Sequence, residues 1–332
     1  MFADKGLYII AEVSANHGGE YGNAARLIRE AKHAGADCVK FQLYSPDTMV
    51  CDSDHPLLQI NDGPWKGQSL HDLYAKAMTP WEWMDPLREA CQKEGIDFLC
   101  TAYEKKSFDY LMDLNIDDMV KVSSFELTHI PLLRQIANSK VPAIISTGMS
   151  TQEEVLSAIV PFLRNAVPFA LLVCVSQYPA YDIPLNDLVW YKKLTPYIGL
   201  SDHTMTSTSA IAAVAMGATI IEKHIKLTDV ETVDSFYSMS PDQFVELVNE
   251  CRSTYRMIGS LPRNESTKYR RSIWVTKHIR KGETITENNT AILRPEGGIP
   301  PASWDVVYGR KVAMDILAGT PLHWNQVEGY NG

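Results

Sequence analysis

Short β-rich runs alternate with segments of helical periodicity along the first two-thirds of the chain, and this alternation constrains the fold more than any other feature. The stretch 24–31 is typical of the intervening segments, because its apolar residues have helical spacing and Gly35 follows as a stop signal. Such alternation implies right-handed crossovers and a parallel sheet. The predicted strands are 8–13, 38–44, 96–103, 120–125, 143–147, 170–178, 198–202 and 220–225. Eight strand–helix units in about 260 residues predict an α/β fold of the (β/α)8 TIM-barrel type rather than an open doubly wound sheet.

The pattern changes after Gly259. Residues 260–271 are polar and contain Pro262, which is the composition of a linker. The stretch that follows has short strand signals separated by turns such as Lys281-Gly282-Glu283, and few helical signals. We therefore predict a barrel domain over 1–259, a linker over 260–271 and a small, mostly β domain over 272–332.

Charge and composition limit the function. The chain has 332 residues, 45% of them hydrophobic and 21% charged, as expected for a folded globular protein. Its formal net charge of -9 argues against the broad basic face that nucleic acid requires. An anionic small molecule would need a local cationic pocket instead.

The remaining compositional signals favour a reducing compartment. The N-terminus lacks a signal-peptide pattern, and the sequence has no apolar run of 18 residues, so we expect a cytoplasmic protein without a membrane segment. The six cysteines form no CxxC pair and several lie in apolar runs, which predicts reduced, buried thiols rather than disulfides or a zinc site.

A long interval, 45–95, separates the second and third predicted strands. It contains Gly/Pro-punctuated aromatic stretches at 61–67 and 79–83. A segment that leaves the carboxyl end of a barrel strand lies over the active-site mouth, which makes this one a candidate lid or substrate selector. The alternative is a plain surface loop.

Nearly every predicted strand ends in polar residues, which is where barrel enzymes carry their active sites. Any one of these residues could be incidental, but a complete ring is hard to explain by structure alone. The ring comprises Glu12, Asn16, His17, Lys40, Gln42, Thr101, Lys121, Ser124, Glu126, Ser146, Thr147, Ser176, Tyr178, Ser201, Asp202, His203, Glu222 and His224.

The ring divides chemically into an anion site and a metal site. Lys40 and Lys121 lie on strands inside the barrel, where an ammonium group needs an anionic partner. With several hydroxyls nearby they predict a pocket for phosphate, or for phosphate and carboxylate; the alternative is that each lysine pairs with a glutamate of the ring.

His203 and His224 end consecutive strands, so both imidazoles reach the same rim and are candidate ligands of a divalent metal. An isolated histidine is more often a hydrogen-bonded core residue, and His17 beside Gly18 and Gly19 is a candidate turn cap.

The glycine-rich loop after the first strand does not predict a dinucleotide site. It lacks GxGxxG spacing, and the next strand ends at Lys40 and Gln42 rather than at an acidic residue.

Ordered motifs along the chain resemble the sialic acid synthase family. They are AEVSANH at 11–17, VKFQ at 39–42, KVSSFE at 121–126, STGM at 146–149, GLSDHT at 199–204 and IEKH at 221–224. Residues 272–328, with Arg294-Pro295 and Gly309-Arg310-Lys311, resemble the C-terminal antifreeze-like (SAF) domain of that family.

The resemblance implies an enzyme that condenses phosphoenolpyruvate with an open-chain N-acetylated amino sugar to a nine-carbon 2-keto acid, releasing phosphate and using Mn²⁺ or Mg²⁺. It implies His203 and His224 as metal ligands, and a domain-swapped homodimer in which the partner's Arg294 reaches the site. The implied phosphoenolpyruvate-binding residues are Lys40, Thr101, Lys121, Ser124, Ser146 and Ser201. Glu12, Glu126, Tyr178 and Asp234 fall at sugar-binding and acid/base positions, and whether Glu12 or Glu126 moves the proton stays open.

Some positions favour one branch of the family. Ser176 stands where synthases that use N-acetylmannosamine usually have Asn, and the path from His224 to Asp234 is one residue shorter. The stretches 65–74 and 79–83 resemble the pseudaminic acid synthases, which accept 2,4-diacetamido-2,4,6-trideoxy-L-altrose. Other stretches, 124–133 and 174–180, resemble spore-coat polysaccharide synthases, so neuraminate, legionaminate and spore-coat substrates stay open.

Two alternatives to a synthase of this family remain. One is another class of enzyme, a pyruvate-dependent metal aldolase, and the other is a noncatalytic carbohydrate- or ice-binding protein.

Overall fold

The computed structural model describes residues 6–259 and 266–330, and the chain divides into two compact units, Met1–Ser260 and Leu261–Gly332. The strands of the first unit are β1 (Tyr8–Glu12), β2 (Cys38–Leu43), β3 (Asp97–Ala102), β4 (Val120–Val122), β5 (Ala143–Ser146), β6 (Phe169–Cys174), β7 (Ile198–Asp202) and β8 (Ile220–His224). They close into one barrel in sequence order, with every neighbouring pair parallel and β8 returning to β1. The predicted (β/α)8 barrel is therefore confirmed.

Helices follow the strands and bury their apolar faces against the barrel. On the first of them Ala24, Leu27, Ile28 and Ala31 are fully buried, and Gly35 takes a positive φ of 86° just beyond its end. The helices of this unit are α1 (Tyr21–His33), α2 (Pro46–Met49), α3 (Leu70–Ala77), α4 (Met84–Glu94), α5 (Lys105–Asp113), α6 (Ile130–Asn138), α7 (Gln152–Asn165), α8 (Asp187–Tyr191), α9 (Thr208–Ala215) and α10 (Pro241–Ile258).

The inward-facing residues change from apolar to polar along the strands. At the amino ends an apolar cluster that includes Ile10, Leu99 and Ile144 fills the barrel. Two residues further along the same strands, side chains point to the same side, and there the sequence places Glu12, Thr101 and Ser146. The apolar layer closes the bottom of the barrel, and the polar layer forms the floor of a cavity at its carboxyl end.

Two predicted strands are shorter than expected. β4 ends at Val122, because Ser123 accepts a hydrogen bond from the amide of Phe125 (3.2 Å) and starts a 3-10 helix over Ser124–Glu126. The ladder between β6 and β7 ends at the pair Cys174 and Ser201, so residues 175–178 form a loop instead of continuing the strand. Both segments thereby become loops at the carboxyl end of the barrel.

The interval after β2 contains ordered structure. Residues 45–83 hold the short helices α2 and α3 and precede α4, the helix of the second barrel unit. Ser69 caps α3 by accepting a hydrogen bond from the amide of Asp72 (3.0 Å), and Trp81 donates one to the carbonyl of Tyr44 (2.9 Å). This segment, the β2–α4 insertion, is thus anchored at the end where it joins the barrel.

The second unit has its own sheet and core. Strands β9 (Ser272–Val275), β10 (Thr290–Leu293) and β11 (Thr320–Pro321) form an antiparallel sheet in the order β10-β9-β11, and α11 covers Trp304–Val307. Ile273, Val275, Ile279, Val307 and Leu322 belong to its buried apolar cluster. This is the small, mostly β unit predicted from the sequence.

The exact domain boundaries at 259 and 272 stay predictions. Within the predicted linker, residues 260–265 lie outside the described residues, and a 3-10 helix covers Thr267–Tyr269. All six cysteines are free thiols; five are buried, as predicted, but Cys51 is exposed. Within residues 6–259 and 266–330, none of the helices combines the length and the hydropathy that a membrane span requires.

Candidate active site

A cavity of about 520 Å³ opens at the carboxyl end of the barrel. Thirteen of the fifteen residues predicted for the site line it: Glu12, Lys40, Gln42, Lys121, Ser124, Glu126, Ser146, Ser176, Tyr178, Ser201, His203, His224 and Asp234. Thr101 is fully buried beside the cavity and accepts a hydrogen bond from the Lys40 ammonium (3.1 Å). Arg294 lies in the second unit, directly after β10, and is exposed.

Lys40 is held between two carboxylates at the centre of the cavity floor. Its Nζ lies 2.9 Å from Glu12 Oε2 and 3.4 Å from Glu222 Oε1, and all three side chains are almost fully buried. Burial alone would lower the pKa of Lys40, but the two carboxylates raise it above the ordinary value. Lys40 therefore pairs with two glutamates of the polar ring, which is the alternative given in the sequence analysis.

Lys121 has a different environment. Its ammonium donates hydrogen bonds to Ser146 Oγ (2.7 Å) and to the carbonyl of Val122 (2.8 Å), and both acceptors are uncharged. Burial lowers the pKa of Lys121. Lys121 is therefore the cation of the cavity that gains most from an anionic ligand.

The buried carboxylates differ in how readily they carry charge. Burial raises the pKa of Glu12, although Lys40 and a hydrogen bond from Gln42 (2.7 Å) oppose that shift. Burial would also raise the pKa of Glu222, but Lys121 and Lys40 lower it below its ordinary value. Glu222 also accepts a hydrogen bond from Ser201 (3.0 Å), which leaves it a charged partner of the lysines.

Glu126 titrates near neutral pH. It accepts a hydrogen bond from the Ser123 hydroxyl, and burial raises its pKa to about 7. A group with such a pKa can both hold and release a proton at neutral pH.

The two predicted metal ligands lie side by side. The ring centroids of His203 and His224 are 5.4 Å apart. His203 Nδ1 is 2.8 Å from the carbonyl of Val175, which can only accept, so Nδ1 carries the proton and Nε2 offers the lone pair. His224 Nδ1 is buried without a hydrogen-bond partner, and burial lowers the pKa of this imidazole well below its ordinary value. Burial would lower the pKa of His203, but Cys174 raises it above its ordinary value. Two adjacent imidazoles at a cavity with nearby carboxylates fit a divalent metal, although no three His, Cys, Asp or Glu side chains converge on one point among the described residues.

The loops after β4 and β6 approach each other closely because their side chains are small. Ser124 Oγ and Ser176 Oγ are 2.8 Å apart. A Cβ added to Gly148, in the loop after β5, would lie 2.4 Å from Ser176 Oγ and 3.2 Å from the carbonyl oxygen of Cys174, so a larger residue there would displace the Ser176 hydroxyl. This close approach explains why the STGM motif at 146–149 contains a glycine.

The β2–α4 insertion forms an apolar wall of the cavity. It contributes seven cavity-lining residues: Met49, Ile60, Trp65, Leu70, Leu73, Tyr74 and Ala77. The indole of Trp65 donates a hydrogen bond to the carbonyl of Val233 (3.0 Å), in the loop after β8, and its ring lies 5.7 Å from that of Phe236. This half of the cavity suits the apolar groups of a ligand.

Asn16 and His17 are among the polar-ring residues that do not line the cavity, and they support the loops around it. His17 Nδ1 accepts a hydrogen bond from the amide of Gly19, so Nε2 donates to Thr79 (3.1 Å); burial lowers the pKa of His17 to about 4. Asn16 donates hydrogen bonds to Ser238 Oγ (2.8 Å) and to the carbonyl of Ile225 (2.9 Å). It thereby fixes the β8–α10 loop, which carries Asp234.

Sequence reasoning named Glu222 only as a possible partner of the lysines, and it assigned no role to Lys223. Glu222 stands in the polar ring, and its position two residues before His224 on one strand was the signal that both face the cavity. Lys223 faces the opposite side of β8, where it forms a buried ion pair with Asp202 (2.7 Å). No pattern in the sequence distinguishes that lysine from a solvent-exposed one.

A closed (β/α)8 barrel with a buried, charged cavity at the carboxyl ends of its strands has the architecture of barrel enzymes. The NeuB family model matches residues 27–262, and the SAF domain model matches residues 270–328. The chain therefore belongs to the NeuB family and is an enzyme, and the predicted resemblance to this family is confirmed.

Named relatives and a solved structure agree with this assignment. The chain is 35% identical over 331 residues to the pseudaminic acid synthase of Campylobacter jejuni, covering 96% of each protein. It is 34% identical to the pseudaminic acid synthase of Helicobacter pylori, covering 96% of this chain and 97% of that protein. The N-acetylneuraminic acid synthetase of Leptospira borgpetersenii superposes with a TM-score of 0.70 at 28% identity, over 79% of this chain and 88% of that one.

Proposed function

We propose that this enzyme is a nonulosonic acid synthase that condenses phosphoenolpyruvate with an open-chain N-acetylated amino sugar, giving a nine-carbon 2-keto acid and phosphate. We further propose 2,4-diacetamido-2,4,6-trideoxy-L-altrose as the sugar, which would make the enzyme a pseudaminic acid synthase. The observation that carries the proposal is the buried Lys121 ammonium, whose hydrogen-bond acceptors, Ser146 and the Val122 carbonyl, are uncharged. The names of the two relatives described above support the choice of sugar.

Phosphoenolpyruvate supplies the negative charge that Lys121 lacks. Its phosphate and carboxylate would accept hydrogen bonds from Lys121 and from the hydroxyls of Ser124, Ser146 and Ser201, all of which line the cavity. Charge-assisted bonds of this kind are about twice as strong as neutral ones. Lys40 is already balanced by Glu12 and Glu222, and we assign it the role of keeping those carboxylates charged and in place.

His203 and His224 would hold Mn²⁺ or Mg²⁺. When bound, such an ion acts as a Lewis acid toward a carbonyl oxygen. We assign the phosphoenolpyruvate to Lys121 and the serines, and the sugar to Tyr178 and Asp234, which line the same cavity.

Glu126 is the group we assign to proton transfer. Carbon–carbon bond formation converts the aldehyde oxygen of the sugar into a hydroxyl, which needs one proton, and the water that adds to C2 of phosphoenolpyruvate gives one up. A carboxyl with a pKa of about 7 can serve both steps, whereas Glu12 is tied to Lys40 and Gln42.

Substitution Glu126→Gln tests that role. We expect kcat/KM to fall about 10²-fold, the range of general acid–base catalysis. In the wild type, kcat/KM should decline above pH 7, because the protonated acid starts the reaction. We expect this decline to be absent from the pH profile of the variant. Since the folded-state pKa of about 7 exceeds the ordinary 4.5, wild-type stability should fall as the pH rises between these values, and the variant should lack that loss. A variant with an unchanged pH profile would exclude Glu126 as the acid.

The apolar wall of the β2–α4 insertion supports a deoxy sugar with acetamido methyl groups. Trp65→Ala removes the largest ring of this wall, and we expect kcat/KM for the sugar to fall about 10-fold while KM for phosphoenolpyruvate changes little. Trp65→Phe is the matched control, because it keeps a ring but loses the hydrogen bond to Val233. Equal losses in both variants would assign the effect to that hydrogen bond and not to the wall.

The proposed reaction is tested by incubating the full chain with phosphoenolpyruvate, Mn²⁺ and a panel of N-acetylated sugars. The readouts are released phosphate and product mass. We expect the fastest release with 2,4-diacetamido-2,4,6-trideoxy-L-altrose. Faster turnover of N-acetylmannosamine, of the legionaminate precursor or of a spore-coat sugar would reassign the substrate, and product formed from pyruvate without phosphate release would identify an aldolase instead.

We propose that Arg294 completes the site of a partner subunit in a domain-swapped homodimer, as the family resemblance implies. If so, His203→Ala and Arg294→Ala chains are each inactive, but random mixing yields dimers in which one site combines an intact barrel with an intact second unit. We expect mixing to restore activity at about a quarter of the sites. An inactive mixture that nevertheless contains mixed dimers would place Arg294 on its own barrel.

A further inference from the structure

A buried ion pair lies on the outer side of the barrel wall, one residue before each candidate metal ligand. Lys223 Nζ and Asp202 Oδ2 are 2.7 Å apart, and the side chains are 1% and 0% exposed. The two residues are register partners across β7 and β8. His203 and His224 follow them directly in the sequence, so the pair joins the two strand ends that carry both imidazoles.

The pair also fixes the loop that leaves β7. The Asp202 carboxylate accepts hydrogen bonds from the amide of Thr204 (2.9 Å) and from the hydroxyl of Ser209 (2.7 Å), the latter in the first turn of α9. Lys223 donates to the carbonyls of Thr204 and Thr206 as well. His203 therefore sits between two residues whose backbone is tied to β8.

Stability alone does not account for two charges at this position. Removing both ions from water is costly, and replacing a buried pair by apolar residues of similar volume is often neutral or stabilising. A network of hydrogen bonds and ion pairs is directional, however, and therefore permits one arrangement of the loop where apolar packing would permit several. The ring of His203 has its own anchor at the Val175 carbonyl (2.8 Å), so its remaining freedom is that of its backbone.

We infer that Asp202 and Lys223 are positioning residues that hold His203 and His224 at the spacing required to share one divalent metal ion. The inference rests on the proposed function in so far as these histidines bind the metal. Neither member of the pair lines the cavity, and both act only through the strand ends that they join.

The test measures Mn²⁺ binding to the metal-free full-length protein. Lys223→Met leaves the Asp202 carboxylate buried without its partner, which strongly destabilises proteins, so the informative variant is the double substitution Asp202→Asn with Lys223→Met. We expect this variant to unfold cooperatively and to bind Mn²⁺ about 10- to 100-fold more weakly, as is typical when the supports of metal ligands are removed. Its turnover should recover when the Mn²⁺ concentration is raised by the same factor.

Arg252→Met is the matched control. It breaks an ion pair between α10 and the residue before β2, Arg252 with Asp37 (3.0 Å), and neither residue adjoins either histidine in sequence. We expect it to lower stability and to leave the Mn²⁺ affinity unchanged.

The outcomes separate this inference from the proposed function. Wild-type Mn²⁺ affinity in the folded double variant would overturn the positioning role. A double variant that does not fold would overturn it too, because the pair would then be required for folding itself. If His203→Ala also bound Mn²⁺ normally, the metal assignment under the proposed function would fail instead.

Discussion

His203→Ala is expected to lose Mn²⁺ binding and to reduce turnover at least about 10³-fold, because a Lewis acid contributes several kcal/mol of charge stabilisation. The loss should not be a folding defect, since the imidazole faces the cavity and its hydrogen bonds go only as far as the adjoining residues Val175 and Cys174. The measurements are Mn²⁺ titration of the metal-free protein, steady-state kinetics at saturating metal, and thermal unfolding.

His17→Ala is the matched control for that experiment. His17 is also buried, but it supports the loop after β1 through Thr79 and Gly19. We expect its substitution to lower the free energy of unfolding while the Mn²⁺ affinity is retained. If His203→Ala retained full activity without metal, the proposed metal site would be wrong.

Lys121→Met is expected to separate activity from stability. Removing the ammonium should lower kcat/KM for phosphoenolpyruvate about 10²-fold, or by about 3 kcal/mol, the range of a charge-assisted hydrogen bond. Burial lowers the pKa of Lys121, so the folded protein disfavours its charge. We therefore expect the variant to be at least as stable as the wild type at neutral pH, measured by urea unfolding.

Lys40→Met provides the contrast. It leaves Glu12 and Glu222 buried without their shared cation, so stability should fall at neutral pH and recover in acid, where the carboxylates become protonated. If Lys121→Met were the less stable of the two variants and kept its affinity for phosphoenolpyruvate, Lys121 would be a structural lysine.

The barrel was predictable because each of its determinants is local. Strand residues alternate between the barrel interior and the helices, and this alternation is visible in the sequence from Ile10 to Glu12 and from Glu222 to His224. Polar residues at the carboxyl ends of the strands then had to converge, because closing the sheet brings every strand end to one rim. Thirteen predicted residues meet in one cavity for this reason.

Charge states were not predictable in the same way. Lys40 and Lys121 look alike in the sequence, as inward-facing lysines on barrel strands. The pKa of one is raised and that of the other lowered, because Lys40 lies between Glu12 and Glu222 while Lys121 contacts a serine and a carbonyl. Such differences depend on distances of a few ångströms between residues far apart in sequence, and the electrostatic energy varies steeply over that range.

The sequence by itself determined the barrel, the second β unit and the identity of the groups that face the cavity, since these follow from periodicity and from the order of the strands. Only the tertiary structure decided which lysine is neutralised, that Glu126 titrates near neutral pH, and that Asp202 and Lys223 form a buried pair beneath the histidines. The physical reason is that burial and charge pairing act through space: Asp202 and Lys223 lie 21 residues apart in the chain, yet their charged atoms are in hydrogen-bond contact.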